Sequence, residues 1–75
     1  MREPRPSRTG SLTPRQREVL RLLAKGHTMR EAAGLLQVTP RTIAFHKYRI
    51  MKKHGLRTNS DLVRFAIRER VISAD

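Results

Sequence analysis

TPRTIAFHKYRIMKKHG, residues 39–55, opens on a threonine and a proline, closes on a glycine, and holds Arg41, Lys47, Arg49, Lys52 and Lys53 without a single acid. Thr39 offers an N-cap hydroxyl, Pro40 suits the first helical position, and Gly55 is a natural stop, so the stretch is expected to be one helix. Advancing about 100° per residue resolves it into two faces. Ile43, Ile50 and His54 fall on one side, with His46 and Lys47 at its edges. Arg41, Ala44, Phe45, Tyr48 and Lys52 form the opposite stripe. One stripe can dock on a core. The other, which carries two of the chain's three aromatics, is left for a partner. Extended to Thr58, the acid-free stretch gains Arg57.

The residues just before this helix decide what kind of pair it belongs to. Thr28-Met29-Arg30-Glu31 is a capping box that starts a short helix carrying Ala32, Ala33, Leu35 and Leu36 as its apolar residues. Only Gln37-Val38-Thr39 separates Leu36 from Pro40, and small Ala33 sits ten residues before Ile43. A small residue at the crossing, an apolar residue in the turn and a branched aliphatic under the second helix are the spacing of a helix-turn-helix.

Working outward, Thr13-Pro14-Arg15-Gln16 combines a capping box with proline at the first helical position. It starts a first helix whose inner face is Val19, Leu20, Leu22 and Leu23, with Leu12 as a staple and Gly26 as its stop. Thr58-Asn59-Ser60-Asp61 caps a fourth helix, in which Leu62, Phe65, Ala66 and Ile67 turn inward before Val71 and Ile72. The fold class is therefore all-α, a four-helix helix-turn-helix domain over residues 12–75. Residues 1–11, rich in Arg, Pro and Ser with no apolar period, are expected to be a disordered basic tail or linker.

Composition narrows the function. At 75 residues the chain holds one domain, and such a chain buries only about 60% of its unfolded surface. A formal charge of +11, with six acids in all, favours polyanions, of which nucleic acid is the usual one. Without cysteine there is neither disulfide framework nor thiolate metal site, consistent with a cytoplasmic protein. The apolar runs are too short to cross a bilayer, so no membrane partner is expected. His27, His46 and His54 have no metal-ligand spacing, and no catalytic constellation is present. Neither enzyme activity, cofactor, metal nor small-molecule ligand is expected.

The residues also resemble a family. Leu12-Thr13-Pro14-Arg15, Arg17-Glu18-Val19-Leu20, Gly26, Glu31, Ala33, Leu35, Thr42-Ile43, His46, Ile50, Lys53, Gly55 and Leu62 are similar to the DNA-binding domain of LuxR/FixJ-type (GerE-like) bacterial regulators, without gaps from about Leu12 to Ile72. The resemblance implies that the third helix enters the major groove of double-stranded DNA and that the fourth contributes to a homodimer. It implies a phosphate contact at Thr42 and base contacts at Ala44, Phe45 and Tyr48, in agreement with the stripe read from periodicity. Thr28, Met29 and Arg30 would lie against the backbone, where free helical N–H groups suit phosphate. Thr39, Arg41, Arg49 and Lys52 complete the expected DNA-binding set, and Val63 and Ile67 are candidate dimer contacts that would otherwise complete the core. Lys53 is left out, because periodicity sets it nearer the buried side.

Departures from the family are informative. Gln16 stands where Glu is usual, Ala32 where Ile is usual, Gln37 for Gly and His54 for Leu. Ala32 removes volume from the core, His54 puts a titratable ring on the buried stripe, and Gln37 occupies a turn position that favours positive φ. Many relatives carry Lys at the position of Ala44, and a methyl cannot make a bidentate contact to guanine.

The expected function is sequence-specific DNA binding by a bacterial transcriptional regulator, as a response-regulator output domain of a two-component system or a small regulator complete in itself. A small basic RNA-binding structural protein, or a helical module contacting RNA polymerase, would share the charge. The RNA reading leaves the helix-turn-helix spacing unexplained.

Overall fold

Behind each helix of the described residues stands a threonine. A computed structural model of the chain describes residues 12–73, so the expected tail at residues 1–11 lies outside the described residues. Within them the elements are α1 (Pro14–Ala24), α2 (Met29–Leu36), α3 (Pro40–His54) and α4 (Asn59–Arg68), and there is no strand. Thr13, Thr28, Thr39 and Thr58 are the N-caps, each in extended backbone with its hydroxyl accepting the N–H three residues on. At Thr13, Thr28 and Thr58 the return bond is also made, from the cap N–H to the side chain of Gln16, Glu31 or Asp61. Gln16 thus closes its box at 3.1 Å as the usual Glu would. The Asp61 carboxylate accepts the N–H groups of Arg57 at 2.9 Å and Thr58 at 3.3 Å. Those two bonds hold its carboxyl below the ordinary value of 3.8.

The helix ends are equally uniform. Each chain exit passes through a residue with positive φ: Gly26 (103°), Gln37 (59°), Gly55 (67°) and Arg70 (61°). The next residue then returns its N–H to a carbonyl five positions back: His27 to Leu22 (3.1 Å), Val38 to Ala33 (3.0 Å), Leu56 to Met51 (2.9 Å) and Val71 to Ala66 (2.8 Å). This is the Schellman closure, which satisfies carbonyls that a helix end leaves free. Gln37 takes the left-handed geometry that glycine adopts without strain.

α1 is the hub, packed against α2, α3 and α4, while α2 packs chiefly on α3. Adjacent residues of α1 serve two buried clusters. Leu20 joins Ile50, Leu62, Phe65, Ala66 and Val71. Val19 joins Ala32, Ala33 and Ile43. Leu23 packs against both. Side chains such as Leu20, Ile43, Ile50 and Leu62 are essentially inaccessible, each contributing about 1.5–3 kcal/mol from burial. Ala33 and Ile43 lie in one cluster, as the spacing requires of a helix-turn-helix crossing. Of the apolar residues of α2, Leu35 is left outside, 60% exposed. Met29, Ala32, Ala33 and Leu36 share one arc of α2, and Leu35 falls about 60° outside it at 100° per residue.

Candidate nucleic-acid interface

α3 carries five Lys and Arg residues and no acid. The acids among the described residues are engaged elsewhere: Glu18 with Arg15 (3.4 Å), Glu31 near His27 (3.6 Å), Glu69 with Arg68 (3.9 Å), and Asp61 with backbone N–H groups. None of Arg41, Lys47, Arg49, Lys52 or Lys53 forms an ion pair among the described residues. No acid stands in the first turn of α3, where the helix dipole is positive. Its outer surface is therefore a field of one sign with its N–H terminus exposed.

Ile43 and Ile50 fix which side faces out. Both are buried, at 0% and 2% exposure, and they turn the opposite stripe to solvent. Phe45 and Tyr48 remain 57% and 58% exposed. Arg41, Arg49 and Lys52 are exposed as well, while Ala44 and Thr42 are half-buried. The Arg49 guanidinium lies over the Phe45 ring, 5.5 Å from its centroid, and the His46 ring meets the same phenyl edge-on at 5.6 Å. Lys47 reaches over the Tyr48 ring at 5.6 Å. These cation–π contacts hold charge beside the aromatics without neutralising it. His46 itself is packed, and its Nδ1 is buried without a protein partner.

The first turn of α3 holds a hydroxyl pair. Thr39 Oγ1 and Thr42 Oγ1 are 3.0 Å apart, and Thr39 also accepts the Thr42 N–H at 3.2 Å. One hydroxyl proton bridges the two oxygens, which leaves the other free to donate outward. At the start of α2, Thr28 and Arg30 are exposed, but the Met29 side chain packs against the cluster of Val19, Ala32, Ala33 and Ile43. Met29 can thus offer only its backbone N–H. Glu31 already places a negative charge in that first turn, so the α2 terminus is a weaker anion site than that of α3.

Periodicity sets Lys53 nearer the buried side of α3. It is exposed, and with Arg49 and Lys52 it lines a groove between the second half of α3 and the start of α1 at Thr13 and Gln16. The i, i+4 relation of Arg49 and Lys53 was the available signal. On α4, Val63 and Ile67 are half-buried and belong to neither buried cluster, and Val63 lines a shallow surface concavity with Asn59, Ser60 and Arg64. Among the described residues no group of three or more His, Cys, Asp or Glu could hold a metal ion, and no helix is long and apolar enough to cross a membrane.

Two helices joined by Gln37-Val38-Thr39, the second basic, acid-free on its outer face and open to solvent, define a helix-turn-helix protein. The chain belongs to the luxR family of bacterial regulatory proteins, whose model matches residues 10–66. It is 36% identical over 62 residues to the transcriptional regulatory protein MctR of Rhizobium johnstonii, covering 83% of this chain and 29% of that protein. It is 38% identical over 61 residues to the oxygen regulatory protein NreC of Staphylococcus aureus, covering 81% of this chain and 28% of that one. The chain thus spans less than a third of the length of these relatives. No solved structure matches it significantly.

Proposed function

We propose that this chain is the double-stranded DNA-binding part of a bacterial transcriptional regulator, with α3 in the major groove. The observation that carries the reading is the outer face of α3: exposed Arg41, Phe45, Tyr48, Arg49 and Lys52, with no acid and no ion pair, on a helix-turn-helix of the luxR family. Basic side chains and the Arg41 N–H in the first turn of α3 take phosphates and set register, with Thr28, Met29 N–H, Arg30, Thr39 and Thr42 at the flanks. Ala44, Phe45 and Tyr48 meet base edges.

Two copies on two half-sites, joined through Val63 and Ile67 on α4, would give the arrangement usual for such readers. Half-buried aliphatics outside both clusters support that choice. The setting is the bacterial cytoplasm, with RNA polymerase as a further partner. Residues 12–75 act as the output domain of a response regulator, and residues 1–11 as a basic linker.

Titrating the chain against selected duplex, random duplex and single-stranded RNA at several salt concentrations tests the reading. Preference for duplex with a linear fall of log K against log salt is expected. Binding to RNA alone, or affinity indifferent to salt, would exclude it.

A further inference from the structure

The centre of the exposed face of α3 has almost no means of reading hydrogen bonds. Ala44 presents a methyl, Phe45 a phenyl ring and Tyr48 a phenol, of which only the last carries a polar atom. The cations around them are placed at the margins: Arg49 lies over Phe45 at 5.5 Å and Lys47 over Tyr48 at 5.6 Å. Thr42 is tied to Thr39 at 3.0 Å.

A phenyl ring set against a base edge discriminates in only two ways. It gains where the edge is apolar, and it loses where the edge carries a donor or acceptor that must be stripped of water. In the major groove of unmodified DNA the one apolar group on any base is the C5 methyl of thymine. Cytosine offers an amino donor in the neighbouring position, and guanine offers acceptors.

We propose that Phe45 is a specificity-determining residue that recognises the C5 methyl of thymine, so that the preferred half-site carries thymine beneath the Phe45 ring. The ring is already restrained on two sides before any DNA arrives, by the Arg49 guanidinium over it and the His46 ring edge-on at 5.6 Å. Restraint of that kind reduces the ordering needed on binding. Arg49 is thereby a positioning residue, holding the phenyl while its charge remains available to a phosphate. Tyr48 follows Phe45 by three residues, about 4.5 Å along the axis, against about 3.4 Å per base pair. The two aromatics therefore face neighbouring base pairs, and Phe45 addresses one of them.

This inference rests on the reading of α3 as the DNA-facing helix, and the experiment separates the two. A duplex is selected from a random pool by the 75-residue chain; each thymine of the selected sequence is then replaced singly by uracil, which removes only the methyl. Affinities are measured by fluorescence anisotropy at one salt concentration for the native chain and for Phe45→Ala. Phe45 is 57% exposed, so the variant keeps its fold, and circular dichroism verifies this. The expected result is an about fourfold loss at one thymine per half-site in the native chain, the worth of one buried methyl. Phe45→Ala abolishes that loss, so that the thymine and uracil duplexes bind the variant equally. A selected site at which every uracil is neutral, or at which the uracil penalty survives in Phe45→Ala, overturns the inference while leaving the DNA-binding reading intact. Failure to enrich any sequence overturns both.

Discussion

The ring of His54, the last residue of α3, lies 4.4 Å from the ring of Phe65 in α4, tilted by 33°. Its Nε2 is buried without a protein partner, and burial first, then the neighbouring Lys53, hold the ring below its ordinary pKa of 6.5; Glu69 opposes them, and Arg68 adds the smallest lowering effect. The folded protein thus prefers the neutral ring. Between the folded value and 6.5 the unfolded chain binds more protons, so stability rises with pH across that window and is lost as pH falls through it. We expect a chemical-denaturation midpoint that drops as pH falls from 7 through 6.5. His54→Leu flattens that dependence and adds about 1 kcal/mol by removing the unpaired nitrogen. A lower acid step belongs to Asp61, whose contribution is present above 3.8 and disappears as pH falls through its depressed folded value.

Gln37 ends α2 at φ 59° and ψ 45°. A left-handed backbone costs a side-chain-bearing residue about 1–2 kcal/mol relative to glycine, and the added freedom of glycine in the unfolded chain returns about 0.4–1 kcal/mol of that. Gln37→Gly is therefore expected to raise stability by about 0.5–1 kcal/mol. Urea unfolding checks this as a higher midpoint at unchanged slope.

Where α2 crosses α3, Ala33 is 3% exposed and Ile43 is fully buried in the same cluster. Ala33→Leu forces the helices apart or the side chain off-rotamer, at a cost of about 1–3 kcal/mol. Ile43→Val, which leaves the crossing intact, costs about 0.5–1.5 kcal/mol. Thermal unfolding of the two variants should rank them in that order.

Lys52 and Lys53 separate charge from readout. If both meet phosphate, Lys52→Ala and Lys53→Ala each lower the magnitude of the salt slope by about one unit, equally for selected and random duplexes. Phe45→Ala should leave that slope unchanged. A slope unaltered by Lys53→Ala would return that residue to a merely solvated surface.

Much of this molecule is written in local signals. The capping boxes at Thr13, Thr28 and Thr58 use partners three residues away, so their bonds follow from sequence without knowledge of the packing. The buried and open stripes of α3 were equally legible, because Ile43 and Ile50 leave little choice of inner face. Leu35 was not. The apolar residues of its helix span about 160° of the circumference at 100° per residue, and the width of the seam with α1 and α3 decides which of them is left outside. The exposure of Lys53 was hidden for a related reason: periodicity gave its angle, but the reach of its stem depends on the open groove beside α1. The closure at Arg70 was hidden because no glycine marks it. Of the candidate site, exposure of Phe45 and Tyr48 was foreseeable; the packing of Met29 inward, and the mutual bond of Thr39 and Thr42, required the tertiary arrangement.

Four threonine caps and four left-handed exits bracket four helices, and most of their bonds stay within six consecutive residues. The length and phase of α3 are consequently set by its own two ends and by Ile43 and Ile50, and owe nothing to Ala44, Phe45 or Tyr48. Mutation can rewrite those three positions one at a time while the scaffold stays where it is. A lineage built on such a frame is free to change which sequences it prefers without first surviving an unstable ancestor.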